Sequence, residues 1–270
     1  MTSCSNDQTL RQKILDENRR VHALENKLYL RRHPEQTNSF QQRILNKTLD
    51  SFCQSISPGK NRIVDIGCGS GYVFLPMIAR GYQMTGVDLS EEMVEALKEN
   101  LDQEKLNRSE LIVGDVVEFS DGDTRPFDGM IVSALLHHLY DFKTAVRKFC
   151  SKVAPGGPLL IFFEPLKQKI HSPLRYGLHK RLAEIEERIY KKEMKFRKIP
   201  LFEDDYEYSD YQRQFGGIDP KELGEILEQE GMEILKISKY CARRYGVSAF
   251  IANCILGTAN TFNILAIKRN

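Results

Sequence analysis

Long apolar runs are missing from this sequence. Nothing in its 270 residues approaches the roughly 20 consecutive apolar side chains of a membrane-spanning helix. The nearest run, Val247 to Ala259, is too short and contains Asn253 and Gly257. An apolar signal core is missing as well: Met1 to Gln8 is polar, so secretion is not expected and a soluble cytoplasmic protein is. Neither sign of charge dominates, with 39 Lys and Arg against 37 Asp and Glu and a net charge of +2. A dedicated nucleic-acid binder usually shows a strongly basic face, so no nucleic-acid partner is expected. The six cysteines (Cys4, Cys53, Cys68, Cys150, Cys241, Cys254) form no CxxC pair. That argues against a zinc site or a disulfide framework and points to a reducing compartment. Internal repeats and low-complexity tracts are absent, and no metal cluster is visible. Asp121 and Asp123 share a loop but read as turn residues, so no bound metal is expected.

What is present begins with Arg62 to Ile66, a short apolar run carrying Asp65. Glycines follow at alternate positions, Gly67, Gly69 and Gly71, with the small Cys68 inside the turn. A helical pattern then runs from about Tyr72 to Arg80. Such a strand, glycine turn and helix lets a nucleoside-bearing ligand press against bare backbone. The dinucleotide fingerprint spaces its glycines as G-x-G-x-x-G and sets a pyrophosphate on the helix N-terminus. Here Tyr72 falls where the third glycine of that pattern belongs. Asp65, two places before Gly67, would repel a pyrophosphate but could hold an ammonium.

Strands and helices alternate from Asn61 onward, which predicts a parallel sheet covered on both faces. Strands are expected at Arg62 to Ile66, Gln83 to Val87, Glu110 to Val113, Phe127 to Ser133 and Leu159 to Phe163. Ser90 caps a helix over Glu91 to Leu101, and another spans about Phe142 to Val153. Upstream, Leu10 to Ser57 reads as two or three helices, interrupted near Pro34, that either pack on the sheet or form a lid. Downstream, Lys167 to Gly217 interrupts the alternation with a charged helix, Leu174 to Lys198. Asp219 and Pro220 open a last regular helix, and Met232 to Lys239 and Thr261 to Ile267 alternate as strands.

Ligands in open α/β sheets bind at the carboxyl ends of strands, near the topological switch point. Three acids mark those ends: Asp65, Asp88 about 20 residues on, and Asp115 after the third strand. Each has a plain alternative as a helix cap, but all fall in step with the glycine turn.

These segments together resemble the class I, Rossmann-like, S-adenosylmethionine-dependent methyltransferases of the small-molecule type. The resemblance runs from Asn61 to Pro165 and over the last two strands. It implies an α/β fold: a seven-stranded, mostly parallel sheet with helices on both faces, an antiparallel C-terminal strand and a helical insertion or cap. It divides the chain into an N-terminal helical lid (1–58), a core (59–166 and 218–270) and a cap insertion (167–217). The cofactor it implies is S-adenosyl-L-methionine. The family's cofactor positions fall here on Asp65, Gly67, Cys68, Gly69, Gly71, Asp88, Leu89, Asp115, Val116 and Ser133. Of these, Asp88 would accept the ribose hydroxyls, and Asp115 and Val116 would meet the adenine.

The expected reaction is in-line transfer of a methyl group to oxygen or nitrogen of a small-molecule acceptor. The protein's contribution would be alignment and exclusion of water. An alcohol or ammonium acceptor needs a base, and the candidates are His137, His138 and Glu164 at the ends of the fourth and fifth strands. His171 and His179 read as surface residues of the insertion. The apolar stripe Leu174, Leu178, Leu182, Ile185 and Ile189 reads as packing, and the basic run Lys191 to Lys198 as a solvated face. Tyr206, Tyr208, Tyr211 and Phe215 read as either an aromatic pocket or a packed loop. Tyr245 to Ala259 suits a buried helix, an acceptor site or the face of a homodimer. The competing functions are a non-catalytic binding protein on the same fold and a methyltransferase acting on protein or nucleic acid.

Overall fold

The computed structural model describes every residue except 1, 26–27, 123–124, 168–169 and 202–206. In chain order its helices are α1 (Thr2–Glu25), α2 (Tyr29–Arg32), α3 (Pro34–Thr37), α4 (Ser39–Gln54), α5 (Phe74–Ala79), α6 (Glu91–Glu99), α7 (Gln103–Leu106) and α8 (Val116–Asp121). After these come α9 (Phe142–Ser151), α10 (Pro173–Phe196), α11 (Pro220–Gln229) and α12 (Gly246–Phe250). The strands are β1 (Arg62–Ile66), β2 (Gln83–Asp88), β3 (Ser109–Val113), β4 (Gly129–Ser133), β5 (Pro158–Pro165), β6 (Met232–Tyr240) and β7 (Thr261–Lys268).

They form one seven-stranded sheet in the order β3-β2-β1-β4-β5-β7-β6. Its first five strands run parallel, and β7 runs antiparallel to both β5 and β6. The expected Rossmann-like methyltransferase sheet is therefore the one observed. Strand four starts at Gly129, two residues later than expected, because Phe127 makes only an isolated bridge to Val153.

Alternation decides which side chain serves which face. Val64 and Ile66 of β1 join Val132 and Ile161 in a core sealed by α9 and α11. Ile63 joins Ile131 and Leu160 in the opposite core, under α4 and α5. Asp65 shares the second face. A carboxylate thus sits in a strand whose other inward positions are all apolar. At the edges the pattern thins: β6 buries little beyond its two ends.

Helix starts follow the capping residues in the sequence. Asn38 accepts from Phe40 and Gln41 N–H, Ser90 from Met93 N–H, and Asp141 from Thr144 N–H. Each satisfies donors that the first turn leaves free, a contribution of about 1 kcal/mol apiece.

The N-terminal segment splits its duties. α4 is a layer of the sheet, with Leu45, Leu49 and Phe52 fully buried, whereas α1 lies along the carboxyl edge. The insertion departs from expectation. Leu174, Leu178, Ile185 and Ile189 are exposed rather than packed, because α10 turns Glu186, Tyr190 and Met194 inward instead. Glu186 meets Arg243 at 3.0 Å, and Tyr190 donates to the carbonyl of Arg32 at 2.9 Å. Among the described residues no helix is long and apolar enough to cross a membrane.

Candidate active site

β1 sends the chain toward β2 and β3, and β4 resumes on its other side. Their carboxyl ends open a crevice there. A cavity of about 370 Å³ fills it. Its floor is the glycine turn. Gly67 and Cys68 N–H both donate to the carbonyl of Val87, at 2.8 and 3.0 Å, which bends the chain across β2. Gly67 has φ +74° and Gly71 φ +98°. A Cβ at Gly67 would come within 2.9 Å of Leu135 Cδ1, and one at Gly71 within 2.6 Å of Leu97 Cδ1. Both positions therefore need glycine, for conformation and for space.

Asp88 braces this floor. Its Oδ2 accepts from Gly69 N–H at 2.8 Å and its Oδ1 from Ser90 N–H at 3.0 Å. Lone pairs remain on both oxygens for a ligand. Asp65 is the opposite case. It is 1 % exposed, lines the cavity, and neither of its oxygens has a hydrogen-bond partner. Burial, with the nearby charge of Asp88, pushes its carboxyl up to about 8. A buried carboxylate without a partner is costly, which marks a place for a cationic or donor group. Ser70 and Ser133 hydroxyls, also unpartnered, face the same cavity. An ammonium and several donors would therefore be satisfied here, so these residues fit the amino acid end of S-adenosylmethionine.

Asp115 caps α8. Its Oδ1 accepts from Val117 N–H at 2.7 Å, while Oδ2 takes Arg11 Nη2 of α1 at 2.7 Å. The N-terminal helix is thereby tied to the rim expected to receive the adenine.

The acceptor side begins where β4 ends. Ala134 there has φ +50°, a strained value for a residue with a side chain. A turn over Leu136–His138 follows. Behind it stands Glu164, fully buried. Glu164 accepts from the N–H groups of Leu135, Leu136 and His137 at 2.8, 2.9 and 3.2 Å, and from His137 Nδ1 at 2.9 Å. A register shift in β5 between Ile161 and Glu164 aims it there, with Phe163 N–H held by Asn263 Oδ1 at 2.9 Å.

His138 reaches the cavity; His137, Glu164 and Gly71 do not line it. The His138 Nδ1–H donates to the carbonyl of Ser209. Burial and the adjacent His137 hold the imidazole neutral, well below its ordinary value, against the pull of Asp210. The remaining assigned positions, Gly67, Cys68, Gly69, Leu89, Val116 and Ser133, all line the cavity.

The sequence offered the N-terminal helices as a lid or a packing layer but did not say which of their residues face the cavity. From α1 come Asn18, which donates to the His138 carbonyl at 3.3 Å, and His22, whose ring lies edge-on to that of His138 at 5.2 Å. Farther along, Tyr29 and Gln36 line the same wall. The helical stripe of α1 said that one side is buried, but not which residues would meet the cavity. Tyr206 and Asp123 lie outside the described residues. Tyr211 packs on Tyr140 and Phe215 rather than walling the cavity. His179 stands off it too, against Thr258.

Known proteins share this fold. A methyltransferase domain matches residues 63–157. The ubiquinone biosynthesis O-methyltransferase of Coxiella burnetii is 26% identical over 185 residues, covering 68% of this chain and 69% of its own. Magnesium protoporphyrin IX methyltransferase from Synechocystis PCC 6803, solved with bound SAM, superposes with a TM-score of 0.55 at 14% identity over 93% of this chain and 97% of that one. The N-methyltransferase NodS from Bradyrhizobium japonicum WM9, solved with S-adenosyl-l-homocysteine, gives 0.54 at 14% over 86% and 89%. Residues 63–157 thus match a methyltransferase domain, and the chain shares the fold of these solved methyltransferases.

Proposed function

We propose that this protein transfers a methyl group from S-adenosylmethionine to an oxygen, or else a nitrogen, of an enclosed small-molecule acceptor. The observation that carries the proposal is the unpartnered carboxylate of Asp65 beside the glycine turn. When bound, the cofactor supplies a methyl group on a sulfonium, ready for in-line displacement. The chain's own residues do the rest. Asp65 holds the ammonium, and Asp88 takes the ribose hydroxyls while keeping Gly69 in place. Asp115 and Val116 border the adenine.

His138 meets the acceptor. Its neutral imidazole, with the proton fixed on Nδ1 by Ser209, leaves Nε2 free to take a proton from a hydroxyl or ammonium. Glu164 and His137 position that turn from behind. Asn18 and Gln36 are buried, and each presents an unpartnered side-chain carbonyl among the lining residues. These favour an acceptor that brings hydrogen-bond donors. The O-methyltransferase activity named for the Coxiella burnetii relative supports oxygen as the attacked atom. Five described cysteines are all free, which suits a reducing cytoplasm.

Calorimetric titration with S-adenosylhomocysteine, with NAD as the control, tests the proposal. We expect tight one-to-one binding of the first alone. Binding of NAD, or of neither ligand, would overturn it.

A further inference from the structure

A second cluster of chemically capable side chains stands behind the acceptor wall. His137, His138 and Asp210 each offer one ligand atom, and these atoms all lie within 4.8 Å of one another. Asp210 Oδ1 is 3.6 Å from His137 Nε2 and 3.7 Å from His138 Nδ1. Two donors bound tetrahedrally to one divalent ion at about 2.1 Å sit roughly 3.4 Å apart. The two separations from Asp210 therefore need to close by only a few tenths of an ångström, and the third pair already lies within 4.8 Å.

The surroundings are those of a built site. Glu164 accepts the proton of His137 Nδ1, which leaves the Nε2 lone pair aimed at the cluster. A carboxylate behind a ligating imidazole is the usual device for fixing tautomer and ring orientation at a metal. The two imidazoles pack with centroids 4.1 Å apart at a tilt of 37°, so each limits the rotation of the other. Asp210 is half-exposed and gives an ion a way in. Its other oxygen is held by Arg213 Nε at 3.1 Å. The Ser209 carbonyl, already against His138 Nδ1, is a further oxygen at the same spot. His138 alone of the three lines the cavity, so an ion on its Nδ1 would act on the acceptor side through that ring.

We propose that His137 Nε2, His138 Nδ1 and Asp210 form a binding site for a divalent transition-metal ion of the zinc type behind the acceptor wall. Two imidazoles and one carboxylate, with the Ser209 carbonyl at hand as a fourth donor, make a ligand set suited to zinc. On binding, His138 takes its other tautomer: the ion occupies Nδ1 and water carries the displaced proton to Nε2, so the imidazole stays neutral. Nε2, now protonated, no longer serves as a base toward the acceptor. The ion would therefore switch off the imidazole that serves in the metal-free protein. That catalytic meaning rests on the proposed methyl transfer; the binding site itself does not.

The test is titration of chelator-stripped, tag-free protein with cobalt(II) chloride, followed by visible absorption and by competition with zinc chloride. We expect one equivalent to bind, with the intense d–d absorption of a tetrahedral site, and zinc to displace it. Asp210→Asn should weaken binding at least tenfold and abolish the band, while Asp121→Asn on the far loop leaves both intact. S-adenosylhomocysteine affinity, measured on the same samples, should be equal in all of them. Absence of stoichiometric binding, or equal binding by Asp210→Asn, overturns the metal site. If S-adenosylhomocysteine still binds in that event, the methyltransferase reading survives. Metal bound by a protein that does not take S-adenosylhomocysteine would uphold the metal site and sink the methyl transfer.

Discussion

The two halves of the cavity are built by different means. The cofactor half hangs on strand ends: Asp65 on β1, Asp88 on β2 and the glycine turn between them, all braced by backbone hydrogen bonds within the sheet. The acceptor half is assembled from distant pieces. Asn18 and His22 come from α1, the His137–His138 turn from the end of β4, and Ser209 and Asp210 from the insertion. A site on a rigid sheet can be read by one ligand across many proteins, while pieces on helices and loops can be exchanged to suit a new acceptor. Damage to the first half should therefore be felt as lost affinity for the cofactor, and damage to the second as lost turnover.

The sharpest test is His138→Ala. We predict that turnover falls by about 100-fold or more, as for loss of a group that moves a proton. The S-adenosylhomocysteine affinity should stay within a few-fold. Steady-state kinetics beside calorimetry would show it, and a matching loss of affinity would break the division.

Asp88→Ala should weaken S-adenosylhomocysteine binding by about 10- to 100-fold, the loss of charge-assisted hydrogen bonds together with the brace on Gly69. Unchanged affinity in a folded variant would remove Asp88 from the ribose role.

Asp65 predicts a pH dependence. Its folded-state value, raised to about 8, lies above the ordinary 3.8, so between these values the folded protein without ligand keeps a proton that the unfolded chain has lost. Stability assignable to this group therefore falls as pH rises through that window. A bound ammonium reverses the preference and expels the proton. Affinity for S-adenosylhomocysteine should then climb by up to about tenfold per pH unit below 8 and level off above it. Calorimetry at neutral pH in buffers of different ionisation enthalpy should register close to one proton released, and Asp65→Asn should release none.

Smallest of all is Arg11→Ala. The guanidinium is substantially exposed, and exposed ion pairs contribute little. We expect at most a few-fold change in cofactor affinity but faster cofactor release, because α1 loses its tie to Asp115. Stopped-flow displacement would detect it, and an unchanged release rate would show that α1 is not a latch.

The cofactor half was legible because its signals are local. Strand, glycine turn and helix fall within a dozen residues, and the acids sit at strand ends that periodicity already marks. The sheet followed from alternation, down to Ser90 as a cap and Pro220 as a helix start. The acceptor half was not legible, because its contacts join residues far apart in the chain. His138 meets Ser209 across 71 positions, and Arg11 meets Asp115 across 104. No local pattern encodes such pairs. Histidine at 137 and 138 drew attention as chemistry, but only the fold showed that one faces the cavity while the other stands on Glu164. The exposed stripe of α10 failed for a related reason. Helical periodicity finds an apolar side but does not say whether anything covers it.

The irregularity in β5 that delivers Glu164 is held by Asn263, and Asn263 belongs to β7. During synthesis, β1 to β5 and the glycine turn leave the ribosome about a hundred residues ahead of that asparagine. The residues of the cofactor half are therefore all present before the one that pins the bend in β5. The strand farthest along the chain thus supplies the side chain that fixes the bend behind the acceptor wall.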